Sequence, residues 1–383
     1  MTIVYFITTV GHGKGGHFHS LNTIANAIGK TQNVHVINIG YKPSEVLDRA
    51  NYSYTFVGFN GYNVLTTYAK INKLIAQLQP DVIHAFDVES FAFSRRFSKK
   101  RNQPSFLNKC GGPNPKKYFP QPNQLILFSK ENETYFKTNP RYNNTCVTVI
   151  PNRVKPVNVD TERVTKFLNK YGTAELSLLR IARIGKHYHK SIIQAINVLG
   201  WLRSKDIPVR LIIIGTIQSN TVYDEVKEYI SSKALEEHVI IETSDEFTHN
   251  ASELLDVGDI IIGTGRNFME ASSLNKMLLV PYKDSDYPLL VTDSNFDEIF
   301  ATNFSPRTQV SGFNEEQNLN KIYQQLNRKQ ALTSKTWFNN YFNVKGGVKA
   351  YKSLYLNQDI PKKSRRLDTL VNVLYAIKTF IVG

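Results

Sequence analysis

From Asp259 to Pro281 the chain runs through Ile-Ile-Ile into Gly263-Thr264-Gly265-Arg266 and then into a helical pattern that carries Glu270 in its early turns. These residue types suit a diphosphate and a ribose. Glycine amides approach phosphate oxygens closely, the Thr264 hydroxyl can donate to them, Arg266 can neutralise them, and a helix N-terminus adds favourable potential. Glu270 can accept from ribose hydroxyls, or simply stabilise the helix N-terminus as carboxylates there do. A second glycine cluster, Val10-Gly-His-Gly-Lys-Gly15-Gly16-His17-Phe-His-Ser20, also follows an apolar run. No Gly-Lys-[Ser/Thr] closes it, so it is not a Walker A loop; it reads as a phosphate-approaching loop or as a tight strand-to-helix turn. His84 and Asp87 follow a third such run and should point to the same end of a sheet. A lone histidine there is either structural or a proton carrier. His12, His187 and His189 are weaker candidates, and no metal-ligand spacing repeats among the histidines.

The elements that must position these residues alternate in type. Strand-sized apolar runs at Thr2–Thr9, Val34–Ile39, Asp81–His84, Gln124–Phe128 and Thr145–Ile150 are separated by helical patterns such as His19–Ile28 and Thr66–Leu78. A second series runs through Ser177–Arg183, Val209–Ile214, His238–Glu242, Asp259–Ile262 and Met277–Pro281, with helices near Ser191–Ser204, Val222–Ala234 and Asn267–Asn275. Such alternation predicts βα units and parallel sheets, hence an α/β fold of two Rossmann-like domains. Their join falls at Pro151–Pro156, where prolines interrupt regular structure. Ligands bind at the carboxyl ends of strands in such sheets, which is where the glycine clusters lie.

The length of 383 residues exceeds one core, and 41% hydrophobic content excludes a disordered chain. The net charge of +15 is uneven: residues 1–155 hold 19 basic and 7 acidic side chains, 156–344 hold 20 and 23, and 345–383 hold 8 and 2. The basic ends imply an anionic partner. Two features concentrate that charge. Arg95–Arg101 holds five cations in seven residues, read as a solvated loop or an anion-facing patch, with Lys116 and Lys117 nearby; and Pro361-Lys-Lys-Ser-Arg-Arg366 leads into Leu367–Val382. In that last stretch Asp368, Asn372 and Thr379 share one helical face while the rest is mostly apolar, a pattern for lying on a bilayer or packing on the first domain. No recognised nucleic-acid motif accompanies the charge, so nucleic acid is not an expected partner. Cys110 and Cys146 are too few for a disulfide framework, the N-terminus reads directly into a strand, and no run reaches a membrane span. A cytoplasmic protein, peripheral at most to the inner face of the membrane, is expected.

Taken in order, Gly15-Gly16-His17, Pro80-Asp-Val-Ile-His84-Ala-Phe-Asp87, Val149-Ile-Pro-Asn-Arg153, Ile181-Ala-Arg183 with Lys190, Leu211-Ile-Ile-Ile-Gly215 and the Glu270-Ala block resemble a GT-B glycosyltransferase, most similar to glycosyltransferase family 4. The resemblance implies two Rossmann-like domains facing across a cleft: residues 1–155, an acceptor domain completed by C-terminal helices about 350–383, and 156–349, a donor domain. It implies transfer from a nucleotide-diphosphate sugar, in particular a UDP-sugar, to a glycan or lipid-linked acceptor in surface polysaccharide synthesis, with retention and without a metal or other cofactor. Arg183 and Lys190, with Lys186 as rival, would hold the donor diphosphate beside Gly215, Gly263, Thr264, Gly265 and Arg266. Glu270 would hold the ribose, and Gly15 and Gly16 would approach the diphosphate. His84 and Asp87 would be catalytic, and His17, Lys109 and Asn114 would bind the acceptor. Ile262 stands where the family commonly has the first of two glutamates, and the loop is shortened to Gly-Thr-Gly-Arg. Two alternatives on this architecture are a nucleotide-sugar epimerase and a binding protein without catalysis.

Overall fold

A computed structural model describes all residues except 12, 48, 117, 328–331, 358–359, 361–365 and 383. The chain forms two compact units, Met1–Val154 with Phe342–Gly383, and Lys155–Tyr341. The return to the first unit therefore comes at Phe342, ahead of the position near 350 read from the sequence. Val154 and Asn343 pair in a parallel bridge there.

The first unit contains β1 (Thr2–Thr9), α1 (Gly16–Gly29), β2 (Asn33–Gly40), β3 (Ser53–Gly58), α2 (Val64–Leu78), β4 (Val82–Ala85), α3 (Val88–Lys100), β5 (Phe106–Lys109), β6 (Gln124–Leu127), α4 (Lys130–Thr138) and β7 (Cys146–Val149). Its seven strands lie in the order β3-β2-β1-β4-β5-β6-β7, all parallel. In β1 every residue from Ile3 to Thr9 is buried, as a strand covered by helices on both faces must be. The second unit contains α5 (Thr161–Tyr171), β8 (Leu176–Ile181), α6 (His189–Arg203), β9 (Val209–Ile214), α7 (Asn220–Ser232), β10 (Val239–Glu242), α8 (Asp245–Thr248), β11 (Ile260–Ile262), α9 (Gly265–Ser272), β12 (Met277–Val280), β13 (Leu289–Leu290), α10 (Phe296–Ala301), α11 (Glu315–Asn327) and α12 (Ser334–Trp337). Its sheet order is β10-β9-β8-β11-β12-β13, with only β13 antiparallel. Each unit is thus a doubly wound, Rossmann-like α/β layer structure.

Two helices complete the first unit. On one sheet face α13 (Val344–Leu356) inserts Tyr351 and Tyr355 among β1, β4 and α1 side chains. On the other, α14 (Arg366–Val382) runs along α3. The basic block Arg95–Arg101 is not a loop, because Val88–Lys100 is helical and buries Phe91, Phe93 and Phe97. Nor is all of its charge solvated. Arg95 is buried and donates to Asp368 Oδ2 at 2.6 Å. The same carboxylate accepts from Arg141 Nη2 at 3.2 Å, from the Tyr118 hydroxyl at 3.1 Å and from the Gln121 amide at 2.9 Å. The C-terminal helix therefore turns its polar stripe inward onto the first unit. Most of the basic run before it, 361–365, lies outside the described residues, as does Lys117.

Removing one partner from a buried ion pair strands the other charge, at a cost of about 3–5 kcal/mol, whereas replacing both with apolar groups is often close to neutral. Asp368→Ala should lower the urea-unfolding free energy by roughly 3 kcal/mol or more, and Arg95→Met combined with Asp368→Leu should lose clearly less. Equal losses in the single and double variants would show that the pair does not couple.

Candidate functional site

In the second sheet the strand order reverses between β8, whose successor β9 lies on one side, and β11 on the other. Such a switch point opens a crevice at the carboxyl ends of the strands, where anions meet helix N-termini. The loop after β8 presents Arg183 and Lys186, and the first turn of α6 presents Lys190, all exposed. Arg183 donates to the Tyr188 hydroxyl at 2.9 Å and lies over that ring, and Lys190 reaches the Lys283 carbonyl. The loop after β11 turns at Gly265, whose φ of 48° a side chain would rarely tolerate. Thr264 stands at the N-cap of α9 without capping it by its side chain. Arg266 Nε meets Glu270 Oε1 at 2.7 Å. Burial raises the Glu270 carboxyl above its ordinary range, and Arg266 pulls it partly back. The groups read as diphosphate clamp and ribose acceptor are thus paired with each other one helical turn apart.

Two glycines serve the backbone rather than a ligand. The Gly215 amide donates to the Glu242 carbonyl, and a Cβ there would sit 1.8 Å from the Ala182 carbonyl oxygen. The Gly263 amide donates to Leu279, and a Cβ would meet the Phe268 nitrogen at 2.9 Å. Both amides are spent in the fold, so neither can cradle phosphate.

Beneath these loops lies Arg180, a residue the sequence reading passed over. It is 1% exposed on β8, donates to the Ile262 carbonyl and to Ser191 Oγ, each at 2.9 Å, and leaves Nε without a partner. No carboxylate is among those partners. Burial pushes its guanidinium down to about 10, which still leaves it charged at neutral pH. A buried cation answered only by neutral oxygens raises the potential at the loop it supports, and Arg180 touches the residue before Gly263 and the first turn of α6. An arginine inside the apolar run Leu178-Leu179-Arg180-Ile181 was the available signal.

In the first sheet the order reverses between β1 and β4. Gly15 caps α1, and a Cβ on Gly16 would meet open space, so that loop can admit a ligand. His17 packs on Phe18; burial lowers its imidazole and the Asp87 charge opposes that. The other first-unit candidates are occupied by the fold. His84 is fully buried on β4. Its Nε2 faces Asn108 Oδ1 at 2.8 Å, which can only accept, so Nδ1 accepts from the Tyr355 hydroxyl at 2.7 Å. Burial pushes the ring down to about 3, and a proton carrier for substrate is excluded because neither nitrogen is free. Asp87 accepts from the Thr8 amide, the Thr8 hydroxyl and the Ser90 amide at 2.6–2.8 Å, tying β1 to the N-terminus of α3. Lys109 Nζ is held by the Gly111 and Gly112 carbonyls and Asn132 Oδ1, while Asn114 accepts from Asn132. Asp87, Lys109 and Asn114 thus each hold a loop of the first unit in place. His12 lies outside the described residues, and His189 stands 3.7 Å from Glu225 on the second unit.

Sequence reading also missed Glu89, two residues after Asp87. Burial, and then the Asp87 charge, push its carboxyl up to about 7.

Residues 12–150 match the family described as glycosyl transferase 4-like. A Rickettsia africae ESF-5 glycosyltransferase aligns with a TM-score of 0.66 at 15% identity, covering 95% of this chain and 99% of its own. Anabaena Alr3699/HepE, solved in complex with UDP and glucose, aligns at 0.64 and 14%, covering 92% and 99%. A UDP-GlcNAc 2-epimerase from Methanocaldococcus jannaschii aligns at 0.58 and 15%, covering 93% and 100%. A search of curated protein sequences finds no match. The fold is that of these GT-B structures, and residues 12–150 resemble the glycosyl transferase 4-like family.

Because the folded Glu89 keeps its proton to about pH 7 while the unfolded one releases it near 4.5, stability falls as pH rises between those values and the penalty is complete above pH 7. Glu89→Gln should therefore gain about 2 kcal/mol near pH 8 and almost nothing near pH 4 in urea titrations. A gain independent of pH would refute the buried-carboxyl account.

Proposed function

We propose that this GT-B chain transfers a sugar from a nucleotide-diphosphate sugar, a UDP-sugar in particular, to a hydroxyl of a glycan or lipid-linked acceptor in surface polysaccharide synthesis at the cytoplasmic side of the membrane. One observation carries the reading: the switch point of the second sheet gathers Arg183, Lys190 and Arg266 beside a helix N-terminus, over the carboxylate-free Arg180, in a segment where acids otherwise outnumber bases. When the bond from the sugar to the diphosphate breaks, negative charge grows on the phosphate oxygens. Fixed cations and amides aimed there stabilise it without rearranging. Arg266 turns from Glu270 to the diphosphate, and the freed carboxylate accepts from the ribose hydroxyls. The acceptor oxygen forms the new bond to the sugar as the bond from sugar to diphosphate breaks, and its proton passes to the departing phosphate oxygen. Retention follows the family 4 resemblance, and the cations take the part a metal would otherwise play, so transfer is expected to persist in EDTA. The likeness to an epimerase favours one second reading, in which the nucleotide sugar alone is converted to an epimer.

Thermal-shift and calorimetric titration with UDP and UDP-sugars test the site. Glu270→Ala and Arg266→Ala should each weaken UDP by about tenfold or more, the scale of one charge-assisted contact. Undiminished binding in both would sink the assignment. Arg180→Met should separate binding from folding: about tenfold weaker UDP together with unchanged or higher urea stability, since an unpaired buried charge is removed. Unchanged UDP affinity would end its role. Incubation with a UDP-sugar alone should give slow hydrolysis; a new epimer would decide for the second reading.

A further inference from the structure

Helix α14 is built inside out. Its inward residues are Asp368, Asn372, Ala376 and Phe380, while Leu367, Leu370, Leu374, Ile381 and Val382 are 47–75% exposed. A helix docked only to hide apolar surface would roll the other way. The roll is fixed by polar contacts, Asp368 to Arg95 and Arg141, and Asn372 Nδ2 to the Val88 carbonyl. The apolar row continues beyond the helix. A Cβ on Gly61 would strike Ile381 at 2.7 Å, and the neighbouring Tyr62 and Leu65 are 77% and 84% exposed.

The surrounding charge has one sign. Helices α2, α3 and α14 cover the same sheet face. They expose Lys70, Lys73, Arg96, Lys99, Lys100, Arg366 and Lys378, whereas their only carboxylates are Asp368, buried in its ion pairs, and Glu89, mostly withdrawn from water. Lys362, Lys363 and Arg365 precede α14 in the sequence. No helix among the described residues is long and apolar enough to cross a membrane.

We propose that this face seats the protein on an anionic bilayer, with the leucine row of α14 in the acyl boundary and the flanking cations on lipid phosphates. An exposed apolar row running about 22 Å from Leu367 to Val382, bordered by cations, is what an interfacial helix presents to lipid. Two copies of the face would set cations against cations with no exposed carboxylate between them, so self-association through it is opposed. The inference stands on the first unit alone and is independent of the donor site.

Flotation of the full chain with vesicles tests it. The protein should float with phosphatidylcholine containing phosphatidylglycerol and stay behind with phosphatidylcholine alone, and binding should weaken as salt rises. Leu370→Glu with Leu374→Glu, and separately Lys99→Glu with Lys100→Glu, should each cut partition by about tenfold or more. Circular dichroism and the UDP thermal shift should be unchanged in both. The proposal is overturned if the protein ignores anionic vesicles, if both variants bind as before, or if light scattering shows a dimer that the leucine variant dissociates. Loss of UDP binding with vesicle binding intact would instead strike the donor reading alone.

Discussion

A carboxylate sealed from water must find donors for its lone pairs, and Asp368 finds them in Arg95, Arg141, Tyr118 and Gln121, which belong to separate segments of the first unit. That demand fixes both the position and the roll of α14. Packing alone would have chosen another rotation, because the leucines are the larger apolar payload. A desolvated charge outranks them, since leaving it unpaired costs more than leaving a few leucines wet. On the opposite sheet face the polar chain Tyr5, Tyr355, His84, Asn108 and Tyr351 performs a comparable service, locking α13 through hydrogen bonds that a purely apolar plug would lack. Both C-terminal helices are held by polar groups buried within the first unit.

The two units treat charge differently. In the first, Arg95 and Asp87 are answered by acceptors or donors of the fold. In the second, Arg180 stays ionised with only a carbonyl and a hydroxyl for company, and the buried Glu270 carboxyl has its desolvation partly offset by Arg266. Energy withheld from folding in this way is available to a ligand of the right charge, which is how binding sites come to be locally unstable.

The architecture was largely readable. Continuous apolar runs such as Ile3–Thr8 and Leu211–Ile214 announce strands buried on both faces, and glycines at their carboxyl ends announce loops that ligands can approach. The strand at Ser53–Gly58 escaped because an edge strand is only half buried and its pattern is diluted. Helix α3 escaped because its cations mask an apolar face of Phe91, Phe93 and Phe97. At the site, residue type was informative where a side chain faces outward, as at Arg183 and Lys190, and misleading where the fold consumes it. Nothing local in Pro80–Asp87 tells that His84 spends both nitrogens on Asn108 and Tyr355, one of them 271 residues away. Gly215 and Gly263 look like phosphate loops but answer to neighbouring backbone. Arg180 was overlooked because strand periodicity alone assigns it to packing.

Because Phe342–Gly383 belongs with Met1–Val154, the first unit is sewn from the two ends of the chain, while Lys155–Tyr341 is contiguous. A ribosome therefore releases the pieces in the wrong order for the amino-terminal unit. Arg95 and His84 emerge early and wait for Asp368 and Tyr355 through the whole synthesis of the other unit, on the order of ten seconds or more at ~5–20 residues per second. The later-made unit can close first. Until the last helix arrives, the nascent chain carries an unneutralised arginine and an open aromatic seam, and it is in that interval that a chaperone would find it.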